Sequence, residues 1–474
     1  MRKASLAHQA FSHPDKRTSM KRFVNGIIAA LLRVGAFISR IDIVRRLRQQ
    51  GFAIISSALA VAIGFEVAEA IHLISGVRIL SLGLILGGAL FSLLLLGCIK
   101  LLPEARYAHS LREINVADLL GREVVTLQTS EVYAVLEGQT ILVTGAAGSI
   151  GSELCRQLLN YGPKLVIALD TNETGLFDLA ESLRSHPNAL HLNPYIGDIT
   201  DVQRMSRLLA KEQPQIVFHA AAYKHVPLLE HYPDQAIRTN VLATYDLCRL
   251  AQEHNVTHFI FISSDKAASP IGVMGASKRV GEMIVQALAQ SANGVTCFCA
   301  VRFGNVIGSR GSVVPVFAQQ IEQGGPVTVT HPDTTRYFMT IPEACGLVIL
   351  TAAIADPGGL YLLDMGSPVR ILDLAIKMIR SRNLRVGRDI PIVYTGLRPG
   401  ERLHETLIAA NEELTPTAHS KIFCVTHRDS LPTLTTIVQW IENLDYSFQH
   451  ESSAHLCEHL FKIIQEQQLI PTVQ

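Results

Sequence analysis

The sequence has little charge and almost no excess of either sign. Only 18% of its 474 residues are charged, and 42 Lys and Arg against 41 Asp and Glu leave a net charge of +1. This balance argues against a globally basic nucleic-acid-binding protein. With 48% hydrophobic residues and a mean hydropathy of +0.26, the chain is too apolar for disorder and rather apolar for a purely soluble protein. Its length predicts about three domains.

The sequence also lacks the cysteine spacing of a metal site or of a disulfide framework. Its eight cysteines are scattered without a CxxC pair, and its eighteen histidines form no ligand pattern. We therefore expect reduced thiols in a cytosolic body, and no metal site. We expect no cleavable signal peptide, because the first apolar run begins late and no small-residue cleavage site follows it.

Charge is unevenly distributed along the chain. Residues 1–50 carry eleven basic and two acidic side chains, a net charge of +9, so the remainder is close to −8. Such a basic head predicts contact with an anionic partner, and the apolar segments that follow favour membrane lipid over nucleic acid. Residues 23–48 are predicted to form either an amphipathic helix on the inner surface of the membrane or a solvated basic segment that only sets the membrane topology of the chain.

Two apolar segments follow the basic head, within residues 51–102. Ile79–Ile99 is an uncharged run of 21 residues, long enough to cross a bilayer core of about 30 Å; the alternative is a buried core helix. Phe52–Gly64 is either a first span or an interfacial helix. Two spans would form a transmembrane hairpin, and the basic head would place both chain ends in the cytoplasm. The sequence thus predicts a multi-pass protein of the inner membrane with its body facing the cytoplasm.

A nucleotide-binding pattern begins after a polar linker, residues 103–138. A β-type run, Thr140–Thr144, leads into glycines at 145, 148 and 151, then a helical stretch and a second apolar run that ends at Asp170. Gly145 permits a tight turn, Gly148 lets the backbone approach a pyrophosphate, and Gly151 allows close helix packing. The helix N-terminus then faces the phosphates, and Asp170 can bind a ribose hydroxyl, which favours NAD over NADP.

Further strands alternate with helical stretches of 15 to 25 residues. The predicted strands are Pro194–Asp198, Gln215–Ala222 and His258–Ser264. This order predicts an α/β fold with a Rossmann-like, doubly wound parallel sheet at 139–305, a smaller C-terminal substrate-binding part at 306–410 and a helical tail at 411–474. In the tail, 434–441 and 456–468 are predicted to be covering helices. Ligands bind beyond the carboxyl ends of such strands, where Ala220–Ala222 and residues 264–266 lie.

The spacing of the three glycines, Asp198, Ala220–Ala222, the strand end at Ser264 and Lys278 resembles that of the extended short-chain dehydrogenases/reductases. That superfamily normally carries Tyr-xxx-Lys, but Met274 stands four residues before Lys278. Longer stretches resemble the membrane-anchored UDP-N-acetylglucosamine 4,6-dehydratases of polysaccharide biosynthesis, over about residues 112–410. In the large, membrane-bound branch of these enzymes, methionine at the tyrosine position is itself a feature. The stretches are His219–Glu230, Ser263–Ala267, Val273–Arg279, Arg302–Val306, Thr335–Thr340 and Gly396–Glu401.

The resemblance implies a tightly bound NAD and a UDP-sugar substrate, UDP-N-acetylglucosamine or a relative. The implied cofactor-binding residues are Gly145, Gly148, Ser149, Ile150, Gly151, Asp170, Asp198, Ile199, Ala220, Ala221, Ala222 and Lys278. The implied uridine diphosphate site contains Asn305, Arg336, Arg398 and Glu401, since arginines neutralise diphosphates with forked donors. Lys224 and His225 are either near the substrate or in a plain polar turn. Such enzymes usually form homo-oligomers, and the large branch carries about four spans and an additional nucleotide-binding domain, for which this chain has no room.

The implied reaction oxidises carbon 4 of the sugar, removes the proton on carbon 5, expels water from carbon 6 and reduces carbon 6, so that NAD is regenerated. An acid and a base are needed side by side. By resemblance, Asp265 is the acid at carbon 6 and Lys266 the base at carbon 5, kept partly neutral by burial or by Lys278. Ser264 is expected to bind the 4-hydroxyl. Because Met274 cannot ionise, Asp265 or an ordered water must accept the proton of that hydroxyl.

Two other functions remain open on the sequence alone. A UDP-sugar 4-epimerase uses the same cofactor and the same first oxidation, but normally requires the tyrosine that Met274 replaces. A non-catalytic, nucleotide-binding membrane scaffold would explain the missing tyrosine, but not the retention of Asp265, Lys266 and Lys278.

Overall fold

The computed structural model describes residues 130–291 and 295–468. The predicted basic head, the two predicted spans and residues 103–129 of the predicted linker lie outside the described residues. Within the described ranges, no helix combines the length and the apolar character needed to cross a membrane.

A nine-stranded sheet forms the centre of this region. Its strands and those of three small pairs are, in chain order, β1 Thr140–Thr144, β2 Leu165–Asp170, β3 Leu192–Ile196, β4 Ile216–His219, β5 His258–Ile262, β6 Cys297–Arg302, β7 Asn305–Ile307, β8 Val327–Val329, β9 Thr335–Arg336, β10 Phe338–Thr340, β11 Leu360–Leu363, β12 Val369–Arg370, β13 Ile392–Tyr394, β14 Glu412–Pro416 and β15 Ile422–His427. The large sheet has the order β14-β15-β11-β6-β5-β4-β1-β2-β3. The seven strands from β11 to β3 are parallel, and the β14–β15 hairpin adds an antiparallel edge.

Helices cover both faces of the sheet. They are α1 Ser130–Leu136, α2 Ser149–Leu158, α3 Glu173–Ser182, α4 Val202–Glu212, α5 Val226–His231, α6 Pro233–Ala236, α7 Ala243–Glu253, α8 Val273–Ser291, α9 Val313–Glu322, α10 Ile341–Ile354, α11 Ile371–Ser381, α12 Leu434–His450 and α13 Ser453–Gln468. Short 3-10 turns occur at Leu159–Tyr161, Ala189–His191 and Asp265–Ala267, and a π-helical turn at Ile237–Leu242 joins α6 to α7.

The central strands are buried on both faces, which is why they appear in the sequence as continuous apolar runs. Every residue of β1 and of β4 is buried. One apolar core lies between the sheet and the helices α4, α7, α8, α12 and α13, and the other lies under α1, α2, α3 and α10. The predicted Rossmann-like, doubly wound fold is therefore confirmed.

A smaller lobe has its own core, as the predicted substrate-binding part requires. Its buried apolar residues come from α9, α11, β7, β8, β10 and neighbouring loops, and Ile392 of β13 packs against them partly buried. The lobe interleaves with the large sheet, because β11 returns to pair with β6 between the lobe's own elements.

Three segments differ from their predicted structure. The end of the predicted linker forms α1, whose Val132 and Leu136 are buried in the core. Residues 412–427, predicted as the start of a helical tail, form β14 and β15 instead, since β11 offers an open sheet edge. The covering helices are longer than predicted, and Trp440, the only tryptophan of the chain, donates from α12 to Glu466 on α13 at 2.9 Å.

Candidate active site

The glycine-rich turn between β1 and α2 forms a cradle that side chains would fill. Gly145 has φ +69, and a Cβ there would lie 2.7 Å from the Ala221 nitrogen. At Gly151 a Cβ would meet the Gly145 carbonyl oxygen at 2.1 Å, so the first turn of α2 packs directly on the loop. Gly148 is the N-cap residue of α2. Because glycine has no side chain, it offers no acceptor to the N–H groups of Ser149, Ile150 and Gly151 at the start of the helix.

The acidic residue predicted for the cofactor lies beside this cradle. Asp170 ends β2, and its carboxylate accepts from the Ala147 nitrogen and the Asn172 nitrogen, both at 2.9 Å. These bonds fix the carboxylate next to the turn. A cradle without side chains, an uncapped helix N-terminus and a carboxylate beside them fit the pyrophosphate and ribose of a dinucleotide.

The other predicted cofactor residues follow β3 and β4 at the same sheet edge. Asp198 is exposed and accepts from the Thr200 nitrogen, while Ile199 is buried. Ala220–Ala222 leave the sheet directly after β4, where the Ala221 nitrogen donates to Thr144 Oγ1 at 3.2 Å. This is why β4 ends three residues earlier than predicted.

A buried histidine holds this edge in place. His219 is fully buried, and its two ring nitrogens contact Thr144 Oγ1 at 2.7 Å and Thr244 Oγ1 at 3.0 Å. Burial, with the charge of Lys278, lowers the pKa of His219 to about 3. The ring is therefore a neutral bridge between β1, β4 and α7.

The predicted catalytic sequence leaves the sheet after β5. Ser264 donates from Oγ to Asp265 Oδ1 at 2.9 Å, and Lys266 Nζ donates to the same oxygen at 3.0 Å. The Asp265 carboxylate is buried beside Gly304, and its Oδ2 has no hydrogen-bond partner in the part of the chain that the structure describes. Lys266 keeps 21% of its side chain exposed and so reaches outward past Asp265.

The prediction that burial or Lys278 keeps Lys266 partly neutral is wrong. Burial lowers the pKa of Lys266, but the carboxylates of Asp265 and Glu405 outweigh this effect and hold the pKa above its usual value. These two carboxylates therefore favour the protonated form of Lys266. At Lys278 burial outweighs the opposing charge of Glu282, and the pKa falls to about 7.

Met274 and Lys278 lie on the first two turns of α8. Lys278 Nζ donates to the Ile262 carbonyl oxygen at 2.8 Å and lies 4.6 Å from the centre of the Phe261 ring. Met274 is buried, and Ser277, one turn further along α8, donates from Oγ to its carbonyl oxygen. The Lys278 amine therefore lies at the end of β5.

A pocket lies between this end of α8 and the loop that follows β13. Its lining includes Lys266 and Met274 on one side and Gly400, Arg402 and Glu405 on the other. Sequence reasoning missed Glu405, whose Oε1 lies 3.5 Å from Lys266 Nζ and 3.5 Å from Arg336 Nε. Its only signal was its place four residues after Glu401, the last residue of a recognised motif.

The predicted substrate residues divide into two groups. Asn305 accepts from Lys266 Nζ at 3.2 Å, and Arg336 reaches the same cluster through Glu405. Arg398 is exposed and Glu401 is half-buried, and neither contacts Lys266 among the described residues. Lys224 and His225 are exposed before α5.

Arg310, which the sequence did not single out either, joins the smaller lobe to the glycine cradle. The Arg310 nitrogen donates to Ser149 Oγ, and its guanidinium donates to the Ala147 carbonyl oxygen, both at 3.1 Å. His225 packs against the neighbouring Gly311, where a Cβ would lie 2.6 Å from the ring. The segment 308–312 thus lies over both predicted sites.

A second group of charges lies behind the site and is sealed from it. Arg302 donates to Glu282 at 2.6 Å and to Glu412 at 2.7 Å, and Arg279 donates to both carboxylates at 3.1 and 3.2 Å. Ser263, next to Ser264, donates to Glu282 at 2.6 Å. We call Arg279, Glu282, Arg302 and Glu412 the closed cluster, and Asp265, Lys266, Arg336 and Glu405 the open cluster.

The parallel sheet, the glycine cradle and the strand-end lysines define the class of the protein, an extended short-chain dehydrogenase/reductase. Residues 141–427 match the polysaccharide biosynthesis protein family, and the chain belongs to that family.

Relatives agree with this assignment. The capsular polysaccharide biosynthesis protein CapD of Staphylococcus aureus is 46% identical over 316 residues, which cover 66% of this chain and 52% of CapD. The chain thus spans about half the length of CapD. A UDP-glucose 4-epimerase of Rickettsia rickettsii is 34% identical over 281 residues, covering 58% of this chain and 79% of the epimerase. The X-ray structure of Pen from Bacillus thuringiensis is 31% identical with a TM-score of 0.57, covering 63% of this chain and 90% of Pen.

Proposed function

We propose that the protein is an NAD-dependent UDP-N-acetylglucosamine 4,6-dehydratase that makes a UDP-4-keto-6-deoxy sugar for surface polysaccharide. The observation that carries this proposal is the Asp265–Lys266 pair, with 3.0 Å between Oδ1 and Nζ, placed at the pocket that Met274 lines. An elimination needs such an acid and base together, whereas a simple oxidation or epimerisation does not.

The residues of the described region have distinct roles in this proposal. The glycine cradle and Asp170 hold NAD, which supplies reversible oxidation at carbon 4 and reduction at carbon 6. Lys266, the exposed member of the pair, takes the proton from carbon 5. Asp265 donates a proton to the hydroxyl that leaves carbon 6, and Ser264 positions its carboxyl group. Arg336 and Asn305 lie where they can bind an anionic sugar nucleotide.

For Lys266 to act as a base it must first lose its proton. Because Asp265 Oδ1 already accepts from Lys266 Nζ, transfer of that proton to Asp265 would produce a neutral amine and a carboxylic acid together. One transfer thus prepares both the base at carbon 5 and the acid at carbon 6.

A UDP-sugar 4-epimerase is the second candidate. The 34% identity to the Rickettsia rickettsii UDP-glucose 4-epimerase favours it. Met274 argues against it, since an epimerase of this superfamily normally uses a tyrosine base at that position.

The test is mass spectrometry of UDP-N-acetylglucosamine incubated with the full-length protein in detergent. The expected product is lighter by one water and forms without net NADH. Lys266→Ala should abolish it, while Lys462→Ala, an exposed lysine on α13, should not. An isomer of unchanged mass would establish the epimerase instead. No change with any UDP-sugar, despite bound NAD, would favour the non-catalytic scaffold.

We further propose that residues 51–102 anchor the protein as a hairpin in the inner membrane, with the described region in the cytoplasm. The uncharged run Ile79–Ile99 supports this proposal. Membrane vesicles of known orientation test it, because protease should remove residues 130–468 only when the cytoplasmic face is accessible. Recovery of the whole protein in the soluble fraction would contradict it.

A further inference from the structure

Glu405 is a nearly buried carboxylate between two cations. Its side chain is 6% exposed, and the same oxygen faces Lys266 Nζ and Arg336 Nε at 3.5 Å. The segment that carries it is fixed to β9, because the Thr335 nitrogen donates to the Leu403 carbonyl oxygen at 3.1 Å and Thr335 Oγ1 contacts His404 at 2.9 Å. Glu405 therefore holds a defined position instead of sampling the surface.

The Glu405 carboxylate lines the same pocket as residues that belong to the proposed catalytic site. Lys266, Met274 and Glu405 all line it, and Glu405 is the only carboxylate among its lining residues. Asp265 lies behind Lys266 and is 1% exposed. Met274 cannot accept a proton, so the pocket offers Glu405 as its one anionic proton acceptor.

We propose that Glu405 is a catalytic residue that accepts the proton of the sugar 4-hydroxyl, the role that Met274 cannot perform. This inference rests on the proposed dehydratase function and names the group that completes it. It also couples the first chemical step to the second, since Glu405 is one of the two anions that hold Lys266 in its charged form.

The protons balance over one turnover. The O–H bond at carbon 4 breaks and its proton goes to Glu405, while the C–H bond at carbon 4 breaks and its hydrogen and electron pair would leave together as hydride to bound NAD. Once Glu405 is neutral, Lys266 passes its proton to Asp265 more easily. Lys266 then removes the proton from carbon 5, and Asp265 gives its proton to the departing hydroxyl, which leaves as water. Carbon 6 regains the electron pair as a C–H bond, Lys266 returns a proton to carbon 5, and Glu405 reprotonates Lys266.

The charges that face Lys266 set the expected pH behaviour. They are Asp265 on its own turn, Glu405 on the pocket loop and Arg336 on β9. Replacing Glu405 with glutamine removes one of the two negative charges and leaves Arg336. The pKa of Lys266 should then fall by about one unit, since an opposite charge at this distance shifts a pKa by roughly 1–3 units.

The first experiment measures Lys266 without relying on turnover. The amine of the full-length protein is labelled with a trace of acetic anhydride across a pH series, and the extent of labelling at Lys266 is read by peptide mass spectrometry. In Glu405→Gln the labelling curve should move about one pH unit lower, and in Glu413→Gln, an exposed carboxylate paired with Arg428, it should not move. An unmoved curve in Glu405→Gln would contradict the coupling.

The second experiment isolates the first chemical step. Reduction of bound NAD on mixing with UDP-N-acetylglucosamine is followed at 340 nm in a stopped-flow instrument. Glu405→Gln should slow this step by about 10²-fold or more, the usual contribution of a general base. In Glu405→Ala, added formate should restore part of the rate, which a purely structural role would not allow. A wild-type rate in Glu405→Gln would overturn the inference while leaving the dehydratase intact. Absence of dehydration by the wild-type protein would overturn both.

Discussion

The open and closed clusters contain the same kinds of charge but differ in how those charges are satisfied. In the closed cluster both arginines donate to both carboxylates, and Arg302 and Glu282 have no exposed side-chain surface. In the open cluster Lys266 is 21% exposed and Asp265 Oδ2 has no partner among the described residues. The closed cluster is therefore complete as it stands, whereas the open cluster has charges and acceptors left over for a ligand.

The two clusters are also joined through one strand end. Ser263 donates to the closed cluster and the adjacent Ser264 to the open one. A rigid charge network behind the site thus fixes the backbone from which the reactive pair projects. The comparison teaches that a buried ion pair alone does not identify a functional site; a buried, unpartnered carboxylate oxygen beside a partly exposed lysine is the better indicator.

The largest effect is expected in the open cluster. Asp265→Asn keeps the acceptor for Ser264 and Lys266 but removes the proton donor, so kcat should fall by about 10²- to 10⁴-fold. The free energy of unfolding should fall by about 1–3 kcal/mol, because the amide nitrogen takes the place of the buried Oδ2 and is left without an acceptor. Product formation by mass spectrometry and urea unfolding followed by Trp440 fluorescence measure the two quantities. A rate within threefold of the wild type would remove Asp265 from the mechanism.

The converse is expected in the closed cluster. Glu412→Gln leaves Arg302 and Arg279 with less compensation in a dry environment, which should lower the free energy of unfolding by about 3 kcal/mol. Its neighbour provides the matched control, since Glu413 is 55% exposed and pairs with Arg428. Glu413→Gln should cost less than about 1 kcal/mol. Equal losses in the two variants, in urea unfolding of the full chain, would show that the closed cluster is not a structural network.

The sequence predicted the glycine cradle and the Asp265–Lys266 pair of the open cluster, but not the closed cluster. The strand–glycine–helix–acid order fixed the cradle, and the Asp265–Lys266 motif lay where a parallel strand must end. The closed cluster could not be predicted because Glu412 lies 110 and 133 residues along the chain from Arg302 and Arg279, and reaches them only when β14 joins the sheet. Glu405 and Arg310 were missed for the same reason, because the residues that they contact lie in distant segments of the chain.

The charge state of Lys266 could not be predicted from the sequence. Burial alone predicts a lowered pKa, and the carboxylates of Asp265 and Glu405 together reverse the direction. Lys278 is deeply buried, and one carboxylate opposes the effect of this burial on its pKa. Its pKa is therefore lowered, as expected of an isolated buried lysine.

The smallest effects come from the two adjacent serines, and they provide the most direct comparison of the clusters. Ser263→Ala removes a hydrogen bond to the buried, charged Glu282, which should lower the free energy of unfolding by about 1.5–3 kcal/mol and leave kcat within about twofold of the wild type. Ser264→Ala should do the reverse: a fall in kcat of about tenfold with a stability loss below about 1 kcal/mol, because Asp265 keeps its bond from Lys266. Urea unfolding and product formation are measured on both variants. If both serines lowered stability and rate in parallel, the strand end would act as one unit, and the separation between a structural and a reactive cluster would have to be abandoned.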